Sequence, residues 1–245
     1  MTGPRSGEPE AHAAVPAAVA AFADGAPITP VWRNEVGGLT FRIERPGGAC
    51  FMKWDPAGSG ESLTDERDRL EWLSGRFPAP KVVDAGADQS GSWLVTAAID
   101  ALSAVTPRWK REPAVAVRAI ARGLRMLHET LDPVECPFSW SVEERLAGKH
   151  EVDDGLRAAP SMDRLVVCHG DPCSPNTLVA EPGEFAAIVD VGRLGVADRW
   201  ADLAVASMSL EWNYGPGWEQ LFFTAYGIAP DPDRIAYYRA LWNAR

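Results

Sequence analysis

The sequence predicts an α+β protein of two lobes, the first small and β-rich, the second larger and mostly helical. Three observations carry this. Short β-type runs broken by glycine and proline turns occupy much of residues 31–99. From Pro113 onward, stretches with apolar residues three and four apart dominate. The change of pattern falls near Ala97–Ala101, where the lobes are expected to join. Residues 1–26, rich in Ala, Pro and Gly, are expected to be a flexible or loosely helical segment. Residues 27–97 then form the N-terminal lobe and 98–245 the C-terminal lobe.

The elements follow in order. In "VWRNEVGGLTFRIERPGGACFMKW", Gly37-Gly38 interrupts the first β run, and "RPGG" separates two further β segments as in a hairpin. "ESLTDERDRLEWLSGRF" places Leu63, Leu70 and Leu73 among charges, a helix ending near Gly75. "KVVDAGADQSGSWLVTAAI" is two strands around an Asp-Gln-Ser-Gly turn. Residues from about Pro113 to Glu129 form a helix with Val117, Ile120, Leu124 and Leu127 on one face. Beyond a loop-and-strand section at 165–190, "WADLAVASMSLEW", "WEQLFFTAYG" and "DRIAYYRALWNAR" are helical patterns.

Bulk properties narrow the function. A net charge of −10 argues against a nucleic-acid partner and suits attraction of cationic small molecules. No apolar run approaches the ~20 residues of a membrane span. "AHAAVPAAVAAFADG" contains Pro16 and follows Glu8 and Glu10, unlike the basic start of a secretory leader. Cys50, Cys136, Cys168 and Cys173 show neither zinc-type pairing nor a disulfide framework, which fits small buried thiols in a reducing cytoplasm.

The chemistry concentrates in "VVCHGDPCSPNTLV", residues 166–179. Pro172 and Pro175 rule out a regular helix or central strand through its polar part, while valines and leucines on both sides predict short buried strands. The result is a rigid loop presenting His169, Asp171 and Asn176. A second polar turn follows in "AAIVDVGRLGVADRWADLA", with Asp190 ending an apolar strand and Arg193 just beyond. A hairpin is expected to bring the Asp171 and Asp190 loops together. Two carboxylates and the Asn176 amide oxygen are hard ligands, the kind magnesium takes when a substrate phosphate completes its shell. Lys53 ends a strand, where a lone ammonium is costly, and Glu66 on the following helix is its expected partner. Gly37 and Gly38 let the backbone approach phosphate closely. In order these are the parts of a phosphoryl-transfer enzyme of the protein-kinase kind.

"VCHGDPCSPNTLV" followed by "IVDVGRLGVADRWADLA" resembles the aminoglycoside phosphotransferases, particularly the 3′ and 3″ branches. Matches at "ERDRLEWL", "WLVTAAI", "CPF" and "GIAPDPDRIAYYR" extend the resemblance over nearly the whole chain, and "CHGDPC-PN" leans toward the streptomycin 3″ branch. The resemblance implies a protein-kinase-like fold with a nucleotide-binding first lobe and a catalytic, acceptor-binding second lobe. It implies ATP or GTP and Mg2+ as cofactors and a cationic antibiotic as the small-molecule partner, with resistance as the outcome. Asp171 is then the base for the acceptor hydroxyl, Asn176 and Asp190 the metal ligands, and Lys53 with Glu66 the grip on the inner phosphates. Ala97 and Ile99 meet the base edge through their backbone, Trp32 to Phe41 form the flap, and Arg193 ties the catalytic loops together. His169 braces its loop, and Asp198 and Asp202 support it. Glu211, Asp153 and Asp154 are candidate acceptor contacts.

Three departures bear on the acceptor. The flap lacks a full G-x-G-x-x-G, the segment 139–168 is shorter than the family's, and the chain ends in "ALWNAR" where the 3′ enzymes have an acidic, aromatic tail. Arg245 is a poor neighbour for a polycation. The same machinery acting on a nucleoside, macrolide or peptide antibiotic, and a nucleotide-binding relative without transfer, are the other readings.

Overall fold

The computed structural model describes residues 7, 14–34, 36–59, 62–147 and 153–244, and divides the chain into two compact units. The first comprises Met1–Ser74 with Pro80–Ile99, the second Gly75–Ala79 with Asp100–Arg245. Arg245 itself lies outside the described residues.

The first unit contains α1 (Ala17–Ala23), β1 (Ile28–Arg33), β2 (Leu39–Arg45), β3 (Gly48–Pro56), α2 (Leu63–Leu73), β4 (Val82–Ala87) and β5 (Gly91–Ala97). Its strands form one antiparallel sheet in the order β1-β2-β3-β5-β4. Alternation along β2 and β3 buries Phe41, Ile43, Cys50 and Met52, and Val95 of β5 joins them. α1 belongs to the same core through Val19, fully buried, and Ala23. Of the segment 1–26, expected to be flexible or loosely helical, the described part contains α1, whose "AAVAAFA" has an apolar face that the sheet covers; residues 1–6 and 8–13 lie outside the described residues. Lys53 and Asp55, two apart on β3, point to one face of the strand. α2 opens with the Ser62 hydroxyl accepting the Asp65 amide and turns Leu63, Glu66, Leu70 and Leu73 inward.

The second unit holds β6 (Leu102–Ser103), α3 (Pro107–Lys110), α4 (Pro113–Thr130), α5 (Val142–Leu146), α6 (Asp154–Arg157), β7 (Leu165–Cys168), a 3₁₀ turn at Ser174–Asn176, β8 (Thr177–Ala180), β9 (Glu184–Ile188), β10 (Gly195–Asp198), α7 (Trp200–Tyr214), α8 (Glu219–Tyr226) and α9 (Pro232–Asn243). The face foreseen on α4 is the buried one, with Val117, Ile120, Leu124 and Leu127 all inside. α7 is buried along most of its length, from Trp200 to Leu210. One topological expectation fails. The strands before Asp171 and Asp190 do not form a hairpin: β7 pairs with β10, while β9 pairs with β8, Thr177 opposite Ile188. Asp190 also lies beyond β9, which ends at Ile188, and takes a left-handed backbone with φ 61°. Asp is among the few non-glycine residues that tolerate that region.

Candidate active site

In the second unit the His169–Asn176 loop leaves β7 and is held from several directions. Its backbone hangs on one buried carboxylate. Asp202 accepts the amide protons of His169 at 2.6 Å and of Gly170 at 3.0 Å. Asp202 is fully buried and also accepts from His128 Nε2, whose Nδ1 faces the Tyr226 hydroxyl at 2.8 Å. Gly170 is required for the turn. It has φ 82°, and a Cβ there would lie 2.1 Å from the Arg193 carbonyl oxygen. His169 braces the loop: its Nε2 donates to the Val189 carbonyl at 3.1 Å and its Nδ1 accepts the Asp171 amide at 3.2 Å. Both ring nitrogens are thereby used, and the neutral Nε2–H tautomer is the one that fits. Farther on, the Ser174 amide donates to the Ser209 hydroxyl of α7 at 2.8 Å.

These contacts aim three polar groups. The Asn176 side-chain amide donates to the Asp171 carbonyl at 2.9 Å, which fixes the carboxamide and turns its oxygen away as a ligand. The Val189 amide donates to the Asn176 carbonyl at 2.9 Å, so the loop carrying Asp190 is tied to the same turn. Asp171 is 24% exposed, yet its Oδ1 is buried and has no hydrogen-bond partner among the described residues. Burial first, and the Asp190 charge second, raise its pKa. The Cys173 thiol alongside is raised too, by burial and then by the Asp171 charge. Arg193 Nη1 stands 4.0 Å from Asp171 Oδ2, with its guanidinium 5.4 Å from the Trp242 ring centroid. A carboxylate whose proton affinity is raised by burial and then by the neighbouring Asp190 charge suits a group that receives a proton.

The support residues are also in place. Asp198 accepts the Asp163 amide at 2.7 Å and the Trp200 amide at 3.0 Å, and Arg234 approaches it at 3.5 Å. Of the three candidate acceptor contacts, Asp153 and Asp154 are neighbours at the start of α6 and Glu211 lies on α7. Glu211 is exposed near the end of α7, Asp154 is exposed in the first turn of α6, and the Asp153 carboxylate caps α6 by accepting the Gly155 amide at 2.8 Å.

In the first unit the Lys53 ammonium meets both oxygens of Glu66 at 2.7 Å. Glu66 is 6% exposed, so the pair is partly desolvated and its geometry is held by α2. Gly37 has φ 92°, and a Cβ on Gly38 would fall 1.7 Å from Asp55 Oδ1. Ala97 and Ala98 donate to the Lys81 and Ala49 carbonyls, whereas the Ile99 amide has no backbone partner among the described residues. The sequence reading overlooked two links: Asn34 to Asp55 in the flap, and Ser174 to Ser209 under the catalytic loop. Asp55, two residues from Lys53 on one strand face, was a usable signal for the first. Nothing in the local sequence singles out Ser209.

The chain is similar to known phosphotransferases. The profile of the phosphotransferase enzyme family matches residues 33–160 and 143–238. The chain is 36% identical over 219 residues to an aminoglycoside 3′-phosphotransferase of Streptomyces fradiae, covering 76% of this chain and 81% of that one. The crystal structure of an aminoglycoside 3′-phosphotransferase of type VIII superposes with a TM-score of 0.72 at 31% identity, over 89% of this chain and 93% of that one. An aminoglycoside phosphotransferase of Streptomyces rimosus, APH(3″)-Id, solved with ADP and streptomycin, superposes with a TM-score of 0.67 at 29% identity, over 89% and 93%.

Proposed function

Because the chain belongs to the aminoglycoside phosphotransferase family, we propose that it transfers the γ-phosphoryl group of ATP or GTP to a hydroxyl of an aminoglycoside of the 3′ or 3″ type. The observation that carries this reading is Asp171 Oδ1, buried and unpartnered on a loop fixed by Asp202, His169 and Asn176.

Asp171 accepts the proton of the acceptor hydroxyl and orients its oxygen for in-line attack. The Asn176 amide oxygen and the Asp190 carboxylate are hard donors, one of them held ready by the bond to the Asp171 carbonyl, and they fit a magnesium ion. Magnesium, when bound, offsets the phosphate charge that builds up in transfer. Arg193 balances charge beside Asp171. On the first unit, Lys53 held by Glu66 takes the α- and β-phosphates, Gly37 and Gly38 let the flap backbone come close, and the Ile99 amide with the Ala97 carbonyl takes the base edge. Adding phosphate to a cationic drug changes its charge and shape, which gives resistance. Among the described residues no helix is long and apolar enough to cross a membrane. The cytoplasm, where nucleotide and drug meet, is the proposed location.

The test is phosphate transfer from ATP and from GTP, with magnesium, to streptomycin, kanamycin- and neomycin-type drugs, hygromycin, and a macrolide, peptide and nucleoside antibiotic. Turnover on an aminoglycoside supports the reading, and NMR of the product locates the phosphate. Turnover confined to another class would move the acceptor to that class, which the short 139–168 segment favours.

A further inference from the structure

The turn Asn34–Gly38 of the first unit closes on the Asn34 side chain. The Asn34 side-chain oxygen accepts the Gly38 amide proton at 2.6 Å and the Val36 amide proton at 3.2 Å. Its side-chain nitrogen donates to Asp55 Oδ1 at 2.9 Å. The backbone closes the same turn, Asn34 donating to the Gly38 carbonyl at 2.9 Å and Gly37 to the Asn34 carbonyl at 3.3 Å. Backbone N–H groups converging around a residue of positive φ make a concavity that suits an anion. Here a neutral carboxamide oxygen fills it.

Two further facts fix that carboxamide. Asp55 is 5% exposed and shares its strand face with Lys53, so the anchor lies on the phosphate side of the sheet. A Cβ on Gly38 would come 2.4 Å from the Asn34 side-chain nitrogen, so the turn is wrapped as closely on the amide as a glycine allows. For another acceptor to take the Val36 and Gly38 amides, the Asn34 carboxamide oxygen must give them up.

Resting on the phosphotransferase reading, we propose that the Asn34 carboxamide is an internal plug of the nucleotide phosphate site, a residue that sets nucleotide affinity. In the free protein it occupies the Val36 and Gly38 amides that a phosphate oxygen takes on binding. The nucleotide must displace it, so part of the phosphate binding energy is spent breaking the Asn34 contacts, and apparent affinity falls accordingly. A nucleoside without phosphates does not contend with the plug at all.

Calorimetric titration of the full chain and of Asn34→Ala with ADP and with adenosine tests this. Asn34→Ala is expected to bind ADP about three- to tenfold more tightly, the loss of one or two modest hydrogen bonds from the free state, with adenosine unchanged. ADP affinity that is unchanged or weaker overturns the plug, as does equal tightening toward adenosine. Binding of ADP to neither protein overturns the phosphotransferase reading and the plug with it. A measurement on the unmutated protein guards against a misfolded variant: the Asn34 side-chain amide and Gly38 backbone signals in 15N NMR should shift with ADP and not with adenosine. A carboxamide signal unmoved at saturating ADP sinks the proposal.

Discussion

Asp202 accepts the backbone amide proton of His169 at 2.6 Å, so a side chain of α7 holds the start of the catalytic loop from beneath. The same carboxylate takes the Gly170 amide and the His128 ring, and no water reaches it. Replacing it by a carboxamide, in Asp202→Asn, turns one acceptor oxygen into a donor that faces other donors. Unpaired buried polar groups cost about 1–3 kcal/mol each. Urea denaturation should show Asp202→Asn destabilised by about 2–4 kcal/mol. Its transfer rate should fall even under conditions where it is fully folded.

Asp171→Asn separates chemistry from stability. Loss of the base is expected to reduce kcat by about 10²–10⁴-fold while ADP binding persists. The raised pKa of Asp171 means that its proton is held more tightly in the folded than in the unfolded chain. Its favourable contribution is full below the unfolded-state value and is lost as pH rises through the folded one. At neutral pH the ionised group therefore opposes folding, and Asp171→Asn should melt higher than the parent. A lower melting temperature at pH 7 contradicts the burial argument. In the parent enzyme, the acidic limb of kcat/KM should lie above 3.8, the ordinary value for an aspartate.

Lys53→Ala removes the ammonium from a carboxylate that is 6% exposed. Steady-state kinetics should give kcat/KM for nucleotide about 10²-fold lower or worse, as for other lost charge-stabilising donors. The KM for the acceptor should change little. An equal effect on both substrates argues against a phosphate role for Lys53.

Gly170→Ala places a methyl group 2.1 Å from the Arg193 carbonyl oxygen on a backbone with φ 82°. Backbone meets backbone there, so no side chain can swing aside. Differential scanning calorimetry should show a loss of about 2–4 kcal/mol, from strain and clash together. Gly58→Ala, at φ 80° with nothing within 4 Å, separates the two causes and should cost less.

Local pattern told much of this fold. The period along "PAVAVRAIARGLRMLH" marks the buried face of α4, and the turn chemistry of "RPGG" marks the β2–β3 hairpin. Asp171, Asn176 and Lys53 stood out as polar groups beside apolar runs, and Glu66 was expected as the partner of Lys53, which it meets at 2.7 Å. Pairing was not legible. β7 and β9 are short and similarly apolar, so strand content alone does not say that β7 joins β10 rather than β9. The packing of α1 was not legible, because a seven-residue helix draws its stability from the sheet it covers. The Ser174–Ser209 link joins segments 35 residues apart through two common side chains, which leave no local trace.

The pairing of β7 with β10 also orders events in time. A ribosome delivers Asp171, Asn176 and Asp190 before it delivers β10, and β10 before the Asp202 on which the loop hangs. A nascent or prematurely terminated chain that stops after Arg193 carries the residues proposed for phosphoryl transfer but lacks β10 and the Asp202 that hold their loop. A stop codon between Arg193 and α7 is expected to leave the side chains proposed for phosphoryl transfer in the product and to remove the Asp202 carboxylate that holds their loop, giving an inert protein.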